Sequence, residues 1–124
     1  MKIIISTNST MAIYEQIVSQ IKDAVIQKKL VPGEAMPSIR GLAKDLSISV
    51  ITTKRAYEEL EKEGIIQSVA GKGFYVCEMN REILKEKQMV QLEAQFEQVV
   101  QDAKNAGLTL EQVVNLITVL YNNQ

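Results

Sequence analysis

The amino-acid sequence predicts a mainly α-helical protein that contains one small β-hairpin. Apolar residues recur at helical spacing in "MAIYEQIVSQIKDAVIQKKL", residues 11–30. Two further short helical patterns follow within "PSIRGLAKDLSISVITTKRAYEELEKEG", residues 37–64. Two apolar segments, 65–69 and 74–77, then flank "AGKG", as expected of two strands joined by a tight Gly-rich turn.

The composition is that of a globular protein, and it lacks several residues and motifs on which enzymes commonly depend. The 124 residues are 46% hydrophobic and 23% charged, which are ordinary values for a globular domain. The single cysteine excludes an internal disulfide, and the absence of histidine removes the commonest general base and most zinc sites. The sequence also has no Gly-rich phosphate loop. We therefore expect no enzymatic activity, cofactor or metal.

The N-terminal segment "MKIIISTNST", residues 1–10, begins with a basic residue and then isoleucines. Its apolar run is too short for the core of a signal peptide. No apolar run in the chain approaches the ~20 residues of a membrane helix. We interpret this segment as a short strand, and we expect a cytoplasmic protein without a membrane partner.

Caps and helix breakers divide the first half of the chain. Ser9 or Thr10 can cap the first helix, Pro32-Gly33 marks a turn, and Pro37 opens a short second helix. After the break "SIS", Ser49 can cap a third helix that runs to about residue 63. The residues expected on the inward side of this helix are Ile48, Ala56 and Leu60, with Thr52 or Thr53 partly covered.

The order of these elements defines the expected architecture. Three helices followed by a hairpin form a winged helix-turn-helix with one small core. We assign it to residues 1–79. Residues 80–124 form a two-helix tail, in which Thr109 and Gln112 predict a capping box at the start of the last helix.

An apolar seam runs along the first helix of the tail. Its residues are spaced alternately three and four apart, as in a coiled-coil heptad, and they are Met89, Leu92, Phe96, Val99, Ala103 and Ala106. The seam could pack only on the last helix of its own chain, or it could pair with a second copy. We favour a homodimer, because two helices alone cannot hide both apolar faces. The residues expected in that dimer are Met89, Leu92, Phe96, Val99, Ala103, Val113, Ile117 and Leu120.

Charge is distributed unevenly. The formal net charge is −1, but residues 36–57 carry four cations, Arg40, Lys44, Lys54 and Arg55, against Asp45 alone. A neutral protein with one basic face is compatible with a limited number of phosphate contacts to DNA.

Residues 13–76 resemble the GntR family of bacterial transcription regulators. The matching stretches are "IYEQIVSQIKDAVIQKKLVPGEAMPSIRGLA", "SVITTKRAYEELEKEGII" and "GKGFYV". The short tail is similar to that of the YtrA-like subgroup, in which two helices replace a large effector domain. The resemblance implies a homodimer that binds a two-fold symmetric operator in double-stranded DNA and usually represses transcription. It implies no particular effector.

The third helix is the candidate reading helix, since the N-terminal residues of such a helix meet base edges in the major groove. Ser49, Thr52 and Lys54 can bond phosphates or bases. Val50 and Ile51 can pack against thymine methyl groups, or they can be core residues. Two of the cations, Lys54 and Arg55, differ by about 100° around the helix, so only one can point into the groove, and we favour Lys54.

Other candidates flank this helix. Arg40 is a DNA contact by resemblance, or else a solvated charge, and Ser38 is a phosphate ligand or a plain helix cap. Gly71, Lys72 and Gly73 form the tip of the wing, where glycines let the backbone approach DNA closely. Cys77 is expected to be a small buried residue without a function. The alternative function is a winged-helix module that binds proteins and not DNA.

Overall fold

The computed structural model describes residues 1–78 and 81–123. The chain divides into two compact units, Met1–Arg81 and Glu82–Gln124. The first contains α1 (Ile13–Ile26), α2 (Ile39–Leu46), α3 (Val50–Lys62), β1 (Ile66–Val69) and β2 (Gly73–Val76), and α4 (Arg81–Asn105) and α5 (Leu110–Asn122) follow. The predicted order of elements is confirmed. The predicted domain boundary falls on residues 79 and 80, which lie outside the described residues.

One apolar core holds the first unit together. It draws on every helix and on both strands, and its fully buried members include Ile17, Ile21, Ala56, Tyr57, Leu60, Ile65, Ile66 and Val76. Tyr57, which the sequence analysis did not place in the core, is 0% exposed, and its ring meets Phe74 edge-on with centroids 5.0 Å apart. This contact joins α3 to β2, so the reading helix and the wing share one core.

The N-terminal segment is not a strand, so that prediction was wrong. Ile4 exchanges two hydrogen bonds with the side-chain amide of Gln20, at 2.9 and 2.7 Å. Ser6 does the same with Gln16, at 2.8 and 2.9 Å. The glutamines lie one helical turn apart on α1, and they satisfy the backbone groups that a neighbouring strand would otherwise pair. The segment is therefore held by α1 and not by a sheet.

The helix starts follow the predicted caps in two of the first three helices. The Ser38 hydroxyl accepts a 3.0 Å hydrogen bond from the Gly41 N–H, and Ser49 accepts one of 3.0 Å from the Thr52 N–H. The cap predicted for α1 was wrong: α1 begins after Ala12 without a side-chain cap. The Ser9 hydroxyl instead accepts a bond from the Met11 N–H, two residues before the helix begins.

The wing is a two-stranded antiparallel hairpin that pairs Ile66 with Val76 and Val69 with Gly73. A third segment lies along β2, because the Met36 N–H donates to the Phe74 carbonyl at 2.8 Å. Through this pairing the chain leading into α2 is attached to the wing. The wing and the helix-turn-helix are thus parts of one structure.

The second unit consists of the long helix α4 and the shorter helix α5. The predicted capping box is present, since Thr109 and Gln112 each bond the other's backbone N–H through their side chains. Gly107 has a φ of 79°, and the Leu108 N–H closes the end of α4 on the Ala103 carbonyl. Across the described part of the chain, no helix has the length and apolarity needed to cross a membrane.

Candidate nucleic-acid interface

The turn between α2 and α3 sets the direction of the reading helix. Ser47 ends α2 in the left-handed conformation, with φ 55° and ψ 44°, a backbone geometry that glycine adopts more readily. The Ile48 N–H then bonds the Ala43 carbonyl at 3.0 Å, and Ser49 caps α3 immediately afterwards. The two helices are therefore connected by only three residues, which leaves the turn little freedom.

The inward face of α3 is the face opposite the candidate contacts. Thr53, Ala56, Tyr57 and Leu60 are each 0% exposed, so the inward positions expected for Ala56 and Leu60 are confirmed. Thr53 is fully covered and Thr52 is partly covered, and the Thr53 hydroxyl donates to the Ser49 carbonyl at 3.1 Å. Ile48 is half-buried at the turn and does not join the fully buried stripe.

Val50 and Ile51 lie on the outer surface. Val50 is 41% exposed and Ile51 is 81% exposed, so the interpretation that both are core residues is wrong. Both belong to the first turn of α3, next to the exposed cap residue Ser49. The start of the reading helix therefore presents two apolar side chains to its surroundings.

The neighbouring hydroxyl groups are engaged with each other. The Ser49 hydroxyl accepts from the Thr52 N–H and donates to Thr52 Oγ1 at 2.8 Å. The Ser49 hydroxyl proton is thus donated to Thr52, and one lone pair of the Ser49 hydroxyl oxygen caps α3. Thr52 is half-exposed and keeps its own hydroxyl proton for an outside acceptor.

The two adjacent cations of α3 point in different directions. Lys54 is 64% exposed, and its Nζ lies 3.9 Å from a carboxylate oxygen of Glu58, a weak solvated pair. The Arg55 guanidinium instead stacks over the ring of Tyr14, 3.9 Å from its centroid. Arg55 therefore ties α3 to α1, and Lys54 is the cation available to a partner.

The remaining candidates lie on α2 and on the wing. Ser38 and Arg40 are exposed at the start of α2. On the hairpin, Gly71 and Gly73 have φ values of 75° and 98°, a backbone geometry that favours glycine, and they place the exposed Lys72 at the tip. The structure thus leaves every predicted DNA-contact residue at least partly accessible.

Cys77 is half-buried and not fully buried as expected. Its N–H donates to the Ile65 carbonyl at 2.9 Å. Burial, and then the nearby carboxylate of Glu61, raise the pKa of the Cys77 thiol. The thiolate is therefore disfavoured, which is the opposite of what a reactive cysteine requires.

The predicted dimerisation residues are mostly exposed in the single chain. Ala103 is buried, and Val113 is half-buried. The others are between 40% and 55% exposed: Met89, Leu92, Phe96, Val99, Ile117 and Leu120. The alternative in which the seam is covered by the last helix of its own chain is therefore wrong. None of the described residues of α5 is buried.

The exposed apolar surface of the tail is wider than the sequence predicted. It also includes side chains outside the predicted set, namely Val90, Val100, Leu110, Val114, Leu116, Val119 and Tyr121. Most of the apolar side chains of α5 lie within a sector of about 160° around the helix axis, since each residue is rotated by about 100° from the one before it. The apolar stripe of a helix on a protein surface is typically at least about 100° wide. The apolar surface of α5 is therefore broad, and in the single chain none of its described residues is buried.

Comparison with known proteins agrees with this architecture. Residues 13–76 match the family described as bacterial regulatory proteins, gntR family. The chain is 38% identical over 109 residues to the HTH-type transcriptional repressor YtrA of Bacillus subtilis, an alignment that covers 88% of this chain and 84% of that protein.

Two solved structures from Listeria monocytogenes have a similar fold. A protein named as a transcriptional antiterminator has a TM-score of 0.77 and 29% identity, with 98% of this chain and 90% of that one covered. A GntR family transcriptional regulator has a TM-score of 0.71 and 30% identity, with 90% and 96% covered. The family match and the fold, taken together, show that the chain belongs to the GntR family of bacterial transcription regulators.

Proposed function

We propose that the protein is a sequence-specific repressor that binds a two-fold symmetric DNA operator as a homodimer. The observation that carries this proposal is the division of α3 between two faces. Its inner face is fully buried through Thr53, Ala56, Tyr57 and Leu60, whereas Val50, Ile51 and Lys54 extend outward from its first turns. A helix anchored in this way can enter the major groove without disturbing the core.

The charges around this helix support a nucleic-acid partner. Arg40 and Lys44 are exposed and lie one turn apart on α2, and Lys54 is exposed on α3. Lys72 adds a cation at the wing tip. Each can neutralise a phosphate and release a counterion, which is the main source of affinity in complexes of this kind. The acidic residues that bring the net charge to −1 lie mostly elsewhere in the chain.

The tail supports the homodimer. The exposed seam of α4 and the wide apolar arc of α5 form a surface that is costly to leave in water. A second copy offers the same surface, and two-fold pairing covers both at once. A symmetric dimer would then present two α3 helices to half-sites about one helical turn, ~34 Å, apart. Repression is supported by the similarity to a protein named as a repressor in Bacillus subtilis.

Selection of bound fragments from random double-stranded DNA tests the proposal. The account expects enrichment of an inverted repeat whose half-sites are centred about one helical turn apart. Enrichment of a single unrepeated site would contradict the symmetric dimer. Failure to enrich any sequence would contradict DNA recognition itself and would favour a winged-helix module that binds proteins.

A further inference from the structure

The apolar start of α3 lies largely outside the core of its own unit. Ile51 is 81% exposed, so it contributes almost nothing to the core, and Val50 is 41% exposed. Isolated apolar side chains on a surface are common. These two, however, are adjacent and occupy the helix turn that, on the proposed function, meets the base edges.

The polar groups of this turn leave few hydrogen-bond donors for the bases. The Ser49 hydroxyl is engaged with the N–H and the hydroxyl of Thr52. The Thr53 hydroxyl is buried on the Ser49 carbonyl. Only the hydroxyl proton of Thr52 remains for an outside acceptor.

The arginine of α3 is not positioned for a bidentate contact to guanine. That contact is made by the planar fork of an arginine or by a lysine reaching two acceptors. Arg55 is stacked 3.9 Å over the ring of Tyr14, on the side of α1. Lys54 is a flexible point charge that suits a phosphate. The exposed side chains of Val50 and Ile51 are therefore a main part of the surface that the first turn of α3 offers to base edges.

We propose that α3 reads its operator half-site through thymine 5-methyl groups, with Ile51 as the principal contact and Val50 as the second. This inference rests on the proposed function. The thymine methyl is the one apolar group that a base edge presents in the major groove. Because successive residues diverge by about 100° around a helix, Ile51 and Val50 would meet methyl groups of different base steps.

Deoxyuridine substitution in the selected operator tests this directly. Replacing one thymine by deoxyuridine removes the methyl group and preserves the hydrogen-bonding pattern of the base. At one or two thymines of each half-site, the substitution should weaken binding by the native protein roughly fourfold, the effect of one buried methyl-sized group. Substitution at the other thymines should have little effect.

Two variants assign the effect to a side chain. Ile51→Ala should bind the thymine operator and the deoxyuridine operator equally at its own base step. Val31→Ala removes a 45% exposed valine from the turn after α1 and should retain the fourfold difference. Alanine is a good helix former, so α3 should persist in Ile51→Ala, which circular dichroism checks.

The outcomes separate this inference from the proposed function. Sequence-selective binding that is insensitive to every deoxyuridine substitution overturns the methyl readout and leaves the DNA-binding proposal intact. A methyl effect of equal size in Ile51→Ala and in the native protein overturns the assignment to Ile51. Absence of any DNA binding overturns both.

Discussion

The Tyr57 hydroxyl donates a 2.7 Å hydrogen bond to the carbonyl oxygen of Pro37. Tyr57 is fully buried on α3, and Pro37 immediately precedes the cap of α2. The bond therefore connects the middle of the reading helix to the start of the helix before it. The bond helps to hold α3 in its orientation against α2. The DNA-binding proposal depends on that orientation.

Tyr57→Phe should destabilise the first unit by about 1–2 kcal/mol, because the part-buried Pro37 carbonyl loses its donor. The edge-on contact with Phe74 survives in this variant, so the ring packing is retained. Chemical unfolding measures the change. Tyr75→Phe is the matched control, since its exposed hydroxyl makes only a 3.3 Å bond to the Lys72 carbonyl. An equal loss of unfolding free energy in the two variants would contradict a stabilising role for the Tyr57–Pro37 hydrogen bond.

The same residue predicts how stability depends on alkaline pH. Burial raises the pKa of the Tyr57 phenol above its ordinary value of 10.0. Above pH 10.0 an unfolded chain releases this proton while the folded chain retains it, so the free energy of unfolding should fall as the pH rises. The contribution of Tyr57 is constant at lower pH. Tyr57→Phe should flatten this decline, and an unchanged slope between pH 9 and about 11 would contradict the assignment.

The N-terminal segment should detach when its glutamine anchor is removed. Gln16 is buried, and its amide oxygen accepts from the Ser6 N–H while its amide nitrogen donates to the Ser6 carbonyl and, at 3.0 Å, to the Met11 carbonyl. Gln16→Leu should therefore cost roughly 2–3 kcal/mol and should speed amide hydrogen exchange at Ser6. The exposed anchor Gln20 is the control: Gln20→Ala should cost less than about 1 kcal/mol and affect mainly Ile4. Unchanged exchange at Ser6 in Gln16→Leu would show that the amide does not hold the segment.

The hydrogen bonds of Gln16 and Gln20 also show what could not be predicted from the sequence. The caps at Ser38, Ser49 and Thr109 were predictable because each is a contact within three residues. The N-terminal strand was predicted wrongly, because its backbone partners are side chains 10 to 16 residues away on α1. Periodicity reports which residues are apolar and not what an extended segment pairs with.

In the candidate site, too, the sequence placed some residues correctly and left others undecided. Helical phase placed Ala56 and Leu60 inward and allowed Val50 and Ile51 to face outward, but it could not choose between solvent and core for those two. The structure makes that choice, because the fully buried Tyr57 and Thr53 already fill the inner face of α3. The stacking of Arg55 on Tyr14 joins residues 41 positions apart in the sequence, and no local pattern predicts it.

Lys72→Ala at the wing tip should weaken binding about equally on all DNA sequences. A lysine that meets a phosphate carries no base information, so its loss should reduce the slope of log affinity against log salt by about 1. Fluorescence anisotropy on the selected operator and on unrelated DNA gives both quantities. Lys29→Ala, which removes an exposed lysine after α1, is the charge-matched control. A loss confined to one sequence would contradict the phosphate role of Lys72.

Phe96→Asp should convert the proposed homodimer into monomers. Phe96 is 45% exposed in the single chain, and on the proposed function it is buried at the seam, where a carboxylate would be expensive. Sedimentation velocity measures the change, and operator affinity should fall with it. Gln91→Asp adds the same charge to the outer face of α4, away from the heptad seam, and should remain dimeric. A stable Phe96→Asp dimer would refute the assigned seam.

The salt dependence of affinity for the selected operator tests the central claim most directly. A dimer that places cations from α2, α3 and the wing against phosphates should lose affinity steeply between about 50 and 200 mM salt, with log affinity linear in log salt. A slope steeper than about −4 would indicate several neutralised phosphates and supports the account. Affinity that is independent of salt, or absent at low salt, would contradict the claim that this protein acts by binding DNA.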